Sequence, residues 1–383
     1  MTFHAAVPTP QEAAQEAAAE TVIEGRARFR VGGAFYRPAS ARSRDFGVLA
    51  AADYRQQTGQ LRVLDTMSGC GVRSLRHWLE SGADDIWAND SNSDAGPVLR
   101  ENLGEAIAAG QCRLTHRDAN EVFFECYQQR DYYDFVDVDA FGAPGPWLGN
   151  SLWATKIGGL LYLTHTDGSS SCGRYPEKSL AAFGAYARHH PAKHEQALRL
   201  MIGRALQEAA NKQLGITPVM SLRWGSTYRT LLRLEPKANL SEANYGFLGY
   251  CHRCGNYQPV TWRHLGHVTC DCASHPLCLS GPLWLGPLHE TAALERWRSQ
   301  AEVWGWGQAV DLLDVMLAEA PLPPYFFKLQ DIGKRGRLNL PRRSRLITAL
   351  RSAGYRAAPT HIEAGALKTN ALLEVCVELA RQM

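Results

Sequence analysis

Residues 63–80 read VLDTMSGCGVRSLRHWLE. An apolar run ends in Asp65, a Gly69-Cys70-Gly71 turn follows, and a helix-forming stretch begins near Val72. Glycines in such a turn let the backbone approach a ligand closely, and the start of the helix offers unpaired N–H groups. A dinucleotide fingerprint would place a third glycine where this chain has Ser74. The turn therefore predicts a nucleoside-binding βα unit without the usual pyrophosphate signature.

The segments on either side extend that reading. Apolar runs at 61–67, 85–90, 112–118, 133–139 and 158–166 alternate with helix-length segments, as in βαβ units of a parallel sheet. Runs at 218–224 and 227–234 flank Gly225-Ser226 and predict a closing antiparallel hairpin. Parallel strands followed by a hairpin form the strand inventory of a class I, Rossmann-like methyltransferase. A nicotinamide-dependent oxidoreductase would more often continue with another crossover helix, and Ser74 also argues against one.

Two more acids follow Asp65 at successive strand ends, Asp90 and Asp118. A carboxylate at the second position can accept ribose hydroxyls, and one at the third lies where an adenine edge would sit. Each acid alone could simply cap a helix. All three in this order suit an adenosine carrying a sulfonium, as in S-adenosylmethionine. The fourth strand ends Asp137-Val138-Asp139-Ala140-Phe141-Gly142. An exocyclic guanine amine is a weak nucleophile because its lone pair is delocalised. An acceptor such as Asp139 must bind its N–H and take the proton, while an aromatic such as Phe141 holds the base flat.

The 383 residues predict two or three domains at roughly 100–200 residues each. With 45% hydrophobic and 21% charged residues the chain is globular, neither disordered nor fibrous. A net charge of +3 is no histone-like excess, so contacts to nucleic acid must come from local patches. One patch is the arginine-rich 26–44 stretch, which reads alternatively as a solvated β-hairpin face. Another contains Lys334, Arg335, Arg337, Arg342 and Arg343. No apolar run is long enough to span a bilayer and no signal peptide is evident, which predicts a cytoplasmic protein.

Five of the ten cysteines lie between Cys251 and Cys278. Cys251-x2-Cys254 and Cys270-x1-Cys272 give two thiolate pincers of the kind that hold a structural Zn2+ ion in a ribbon. Cys278 and nearby histidines remain alternative ligands at this stage.

The ordered motifs resemble the tRNA (guanine-N2) dimethyltransferases, which act at position 26 of tRNA. They comprise Glu24-Gly25, Phe35-Tyr36-Arg37-Pro38, Arg44-Asp45, the Asp65–Arg73 loop, Asn89-Asp90 and Asp139-Ala140-Phe141-Gly142. Further along come Thr164-His165-Thr166-Asp167, Cys172-Gly173, His194-Glu195 with Arg199, Gly281–Trp284, Thr360-His361 and Lys368-Thr369. The family pattern has proline at Ala140 and asparagine at Arg37.

The resemblance implies S-adenosylmethionine as cofactor. Arg44, Asp65, Gly69, Gly71, Arg73, Asp90, Asp118 and Ala119 would line its site. It implies Asp139 and Phe141 as catalytic residues, with Phe35, Tyr36, Thr166, Asp167 and the C-terminal basic stretch on the tRNA side. The expected organisation is a flexible lead-in over 1–20, a methyltransferase domain over 21–235 and a zinc-containing α+β tRNA-binding domain over 236–383. No obligate protein partner is evident. The competing reading is a non-catalytic tRNA-binding or chaperone protein that retains the fold, supported only by Ala140.

Overall fold

The structure, a computed structural model, describes residues 21–272 and 274–383. The lead-in expected over 1–20 lies outside the described residues. The chain divides into two compact units, one formed by residues up to 139 with 153–156, the other by 140–152 and 157–383.

In the first unit, β1 (Thr21–Glu24) and β2 (Ala27–Arg30) form an antiparallel hairpin around Gly25. The basic N-terminal stretch thus begins as the hairpin that its alternation suggested. The helix Ala41–Thr58 follows and stops at Gly59, which takes a left-handed conformation. Strands β3 (Arg62–Asp65), β4 (Asp85–Asn89), β5 (Cys112–Thr115) and β6 (Tyr133–Val138) pair in parallel in the order β5-β4-β3-β6. Their near-continuous apolar text follows from burial on both faces: Leu64, Ile86, Phe135 and Val136 have no solvent exposure. β3 ends on Asp65, β4 and β6 stop one residue before Asp90 and Asp139, and Asp118 lies three residues beyond β5.

The second unit holds β7 (Thr155–His165, from Ile157 onward), β8 (Gly215–Trp224) and β9 (Thr227–Glu235). β9 runs antiparallel to both β7 and β8, and the β8–β9 hairpin turns at Gly225-Ser226 as expected. The helix Lys193–Ala210 packs on β8 and β9 through Leu198, Met201 and Ile202. The parallel strands and this terminal hairpin match the expected α/β methyltransferase class.

The remainder of the second unit contains β10 (Tyr245–Tyr250), β11 (Tyr257–Val260), β12 (Thr269–Cys270), β13 (His275–Pro276) and β14 (Cys278–Trp284). β10 is the centre of a three-stranded antiparallel sheet between β11 and β14. A second small sheet joins β15 (Phe327–Lys328), β16 (Ala357–Pro359) and β17 (Ala366–Thr369). The long helical pattern after Leu288 is two helices, Thr291–Val303 and Gly307–Glu319. The break falls at Gly305, whose φ of 73° cannot continue a helix. No helix among the described residues is long and apolar enough to cross a membrane.

Candidate active site

The glycine turn after β3 has a steric reason for its composition. Gly69 sits at φ 57°, and a Cβ there would stand 2.9 Å from the Phe35 carbonyl oxygen. Gly71 sits at φ 83° and caps the following helix. The Gly69 N–H donates to Asp90 Oδ2 at 2.7 Å, and the Asn92 N–H to Asp90 Oδ1 at 2.9 Å. Asp90 therefore braces the turn and stands beside it. Asp118 accepts from the Asn120 N–H at 2.8 Å and caps the helix that Ala119 begins.

Inside the turn, charges are concentrated. Asp65 is fully buried, and its Oδ2 accepts from the Ser74 hydroxyl at 2.8 Å, while its Oδ1 has no hydrogen-bond partner. Arg73 is buried too. Its guanidinium lies 3.4 Å from Asp137 and is ion-paired and hydrogen-bonded with Asp139. Burial, then the neighbouring Asp137 charge, pushes the Asp65 carboxyl up to about 7, against the opposing pull of Arg73. Three carboxylates around one guanidinium leave the end of β3 and β6 electronegative at neutral pH. That field, together with the orphaned Asp65 oxygen, fits a cationic nucleoside and opposes a pyrophosphate.

Arg44 is buried in a different arrangement. Its Nε donates to Glu24 at 2.6 Å, and its Nη2 also donates to the Arg37 carbonyl at 3.2 Å. Arg76 joins the same group through Glu24 at 3.0 Å and Asp45 at 2.8 Å. Burial would raise the Glu24 carboxyl, but the hydrogen bond and charge of Arg44, with the charge of Arg76, bring it below its usual range. Tyr36 donates to Glu24 at 3.0 Å, whereas Phe35 is largely exposed. Sequence reasoning saw Arg44 but not the Glu24 carboxylate that already occupies it. The signal was Glu24 itself, read only as part of a motif.

In the second unit Phe141 is 68% exposed. The turn that carries it is held from Gly142, whose N–H donates to Thr166 Oγ1 at 2.8 Å and whose carbonyl accepts from the Thr166 N–H at 2.8 Å. His165 Nδ1 donates to the Gly142 carbonyl at 3.1 Å and its Nε2 is hydrogen-bonded with Ser171 Oγ at 2.9 Å, so it is a satisfied structural histidine. Asp167 caps the short helix after it through the Ser169 N–H at 3.0 Å. Ala140 is buried.

The sulfurs of Cys251, Cys254, Cys270 and Cys272 all lie within 4.8 Å of one another. Cys251–Cys272 is 3.7 Å and Cys254–Cys270 is 3.5 Å. Tetrahedral ligands at the Zn–S distance stand about 3.8 Å apart, so the four thiols fit one metal ion. Cys278, the first residue of β14, is not among them. Of the basic stretch, Arg335 donates to the carbonyls of Arg253 (2.6 Å) and His252 (3.2 Å), and so clamps the first cysteine knuckle. Arg343 donates to the Ala364 carbonyl at 2.7 Å. Lys334, Arg337 and Arg342 are at least partly open to solvent.

A second group of potential ligands was not anticipated. His289, Glu319 and His361 converge in the second unit, with His361 hydrogen-bonded to Glu319. They are dispersed along the chain without a linear motif, and only His361 stood in a quoted segment.

The family model for N2,N2-dimethylguanosine tRNA methyltransferase matches residues 17–381. The chain is 29% identical to the tRNA (guanine(26)-N(2))-dimethyltransferase of Pyrococcus horikoshii over 91% of its own length and 92% of that protein's. It is 30% identical to the enzyme of the same name from Archaeoglobus fulgidus, over 94% and 98%. The fold matches the solved structure of Trm1 from Pyrococcus horikoshii with S-adenosyl-L-methionine. The TM-score is 0.82 at 27% identity, covering 94% of this chain and 99% of that one. The chain belongs to the N2,N2-dimethylguanosine tRNA methyltransferase family.

Proposed function

We propose that this protein transfers methyl groups from S-adenosylmethionine to the exocyclic N2 of guanine 26 in tRNA, giving N2-methyl- and then N2,N2-dimethylguanosine. The observation that carries the reading is the full-length family match, residues 17–381, combined with the electronegative Asp65–Arg73–Asp137–Asp139 group at the strand ends. S-adenosylmethionine, when bound, supplies an electrophilic methyl on a sulfonium. The carboxylates of Asp65 and Asp90, the turn at Gly69 and Gly71, and Asp118 with Ala119 are the groups assigned to hold it. Arg44 is assigned to its carboxylate, a role that requires sharing the guanidinium with Glu24.

Asp139 is assigned as acceptor and base. Binding the N–H localises the amine lone pair, and the carboxylate then takes the proton as nitrogen is alkylated. Arg73, already on Asp139, fixes the carboxylate orientation. Phe141 is assigned to stack the extruded guanine, an interaction worth about 1–3 kcal/mol. Phe35, Tyr36, Thr166 and Asp167 are placed on the substrate side. Positioning of two reactants supplies much of the acceleration.

Residues 21–235 are read as the methyltransferase domain and 236–383 as the tRNA-binding domain. The four cysteines would hold structural Zn2+, bracing the knuckle that Arg335 clamps. Its closed sulfur set leaves no open position for chemistry. Lys334, Arg337 and Arg342 then face the RNA backbone. The expected location is the cytoplasm.

The test incubates the protein with S-adenosylmethionine and an unmodified tRNA transcript bearing guanine at position 26, followed by nucleoside mass spectrometry. Methylated guanosine that disappears with Asp139→Ala supports the reading. A wild type that binds cofactor and tRNA but leaves every guanine unmodified refutes it in favour of a non-catalytic RNA-binding protein.

A further inference from the structure

The second unit contains a cavity of about 790 Å3 beside the turn that carries Phe141. Its cations are Arg174, Lys193 and Arg223, the imidazoles of His189 and His194 stand beside them, and no Asp or Glu lines it. Ser169, Ser226 and Tyr228 add hydroxyls, and Thr166 forms the wall nearest Phe141. These residues come from the segment after β7, the stretch before and the first turn of the helix Lys193–Ala210, and the β8–β9 hairpin.

Three features identify the chemistry it accepts. Arg174 and Lys193 pair with no carboxylate among the described residues, while Arg223 is only loosely balanced by Glu363 at 4.0 Å. The acids adjacent in sequence to the lining are engaged elsewhere, Asp167 on the Ser169 and Ser170 N–H groups and Glu195 on Arg199 and Lys368. Burial, and next the charges of Arg223, Lys193 and Lys328, push His194 down to about 3. A cavity walled by Arg174, Lys193 and Arg223 with no carboxylate in its lining is an anion site. It is also far larger than an inorganic anion requires.

We infer that this cavity binds a backbone phosphodiester of the tRNA next to the guanosine presented to Phe141, a role that rests on the guanine reading above. The same Thr166 that lines the cavity holds Gly142 from both its N–H and its carbonyl. A phosphate seated here therefore fixes the strand in register with the stacking ring. Phosphate contacts set position rather than sequence, and they offset the few kcal/mol needed to extrude a base.

The test uses the full chain and the paired substitution Arg174→Ala with Lys193→Ala. Neither side chain carries a structural ion pair, so the fold should survive. Binding of fluorescent tRNA is measured across a salt series. The slope of log Kd against log salt should fall by roughly 0.7–0.9 for each phosphate that is no longer neutralised, with affinity about tenfold weaker at low salt. S-adenosylmethionine affinity should not change. A tRNA series with single neutral methylphosphonate linkages around position 26 then locates the site on the strand. Wild type should bind more weakly when one linkage, or two consecutive ones, is neutral, and the double variant should be indifferent there. An unchanged salt slope, or a double variant as sensitive as wild type at every linkage, overturns the inference even if methylation occurs. A wild type that binds tRNA with this pattern yet modifies no guanine overturns the functional reading instead.

Discussion

Replacing Arg73 by leucine tests the electrostatic core of the site. The guanidinium is buried and contacts both Asp137 and Asp139, and its charge also lowers the Asp65 carboxyl. Removing one partner of a buried ion pair costs roughly 3–5 kcal/mol. For a domain of this size each kcal/mol shifts Tm by about 2–4 °C, so the drop should be roughly 6–20 °C at pH 8. The carboxylates can escape the penalty by binding protons, so the deficit should shrink at pH 6. Arg73→Lys keeps the charge without the two-pronged geometry and should fall between the two. Thermal unfolding of the three proteins at both pH values is the assay. A deficit below about 1 °C at pH 8, or one equal at the two pH values, would show that Arg73 does not neutralise this group.

Gly69→Ala forces a side chain into a left-handed turn against the Phe35 carbonyl, and should cost at least about 1–2 kcal/mol with weakened cofactor binding by calorimetry. Asp65 carries a raised carboxyl, at about 7 when folded against 3.8 in the open chain. Its protonated form is thus favoured in the fold. The contribution is complete below 3.8 and is lost as pH rises through about 7, so wild-type stability should decline over that window and Asp65→Asn should remove that part of the decline. Cys254→Ser should lower bound zinc below the about one ion per chain expected for a four-thiolate site, by elemental analysis, whereas Cys278→Ser should leave it intact. Equal loss from both would contradict the ligand set.

The strands were legible because those buried on both faces read as apolar runs, and the closing hairpin because Gly225-Ser226 marks a tight turn. The acids at the strand ends were legible for the same topological reason. Their present partners were not. Nothing in the sequence places Arg73 on Asp139, 66 residues away, or binds Arg335 to the carbonyl of Arg253, 82 residues away. The basic run near Lys334 looked uniform in one dimension. In three, Arg335 and Arg343 bond to backbone carbonyls, while Lys334, Arg337 and Arg342 stay exposed. The phosphate cavity escaped notice for the converse reason: Arg174, Lys193 and Arg223 are scattered singly, and only folding concentrates them.

The segments that carry the family resemblance divide by chemistry once their partners are known. Glu24 of the first motif is the buried partner of Arg44 in the third, 20 residues on. Glu195 and Arg199, from the HE-x-x-x-R segment, pair at 2.8 Å, and Lys368 of the last motif reaches the same Glu195 at 2.7 Å across 173 residues. Thr360-His361 supplies the histidine bonded to Glu319. The Glu195–Lys368 and Glu319–His361 contacts are mutual locks between distant parts of the chain, whereas Arg44 is shared between Glu24 and the cofactor role proposed for it. A buried charge left without its partner is costly, so each such pair penalises any packing that separates its members. They contribute specificity of the fold more than net stability. The segments proposed to face the cofactor or the base are Arg44, the turn from Asp65 to Arg73, Asp90, Asp118 with Ala119, and Asp139 to Gly142. Variation at Glu195, Arg199, Lys368, Glu319 or His361 should therefore appear as unfolding at unchanged chemistry, and variation in the second group as lost methyl transfer, joined by instability where a buried ion pair or a left-handed turn is broken, as at Arg73 and Gly69.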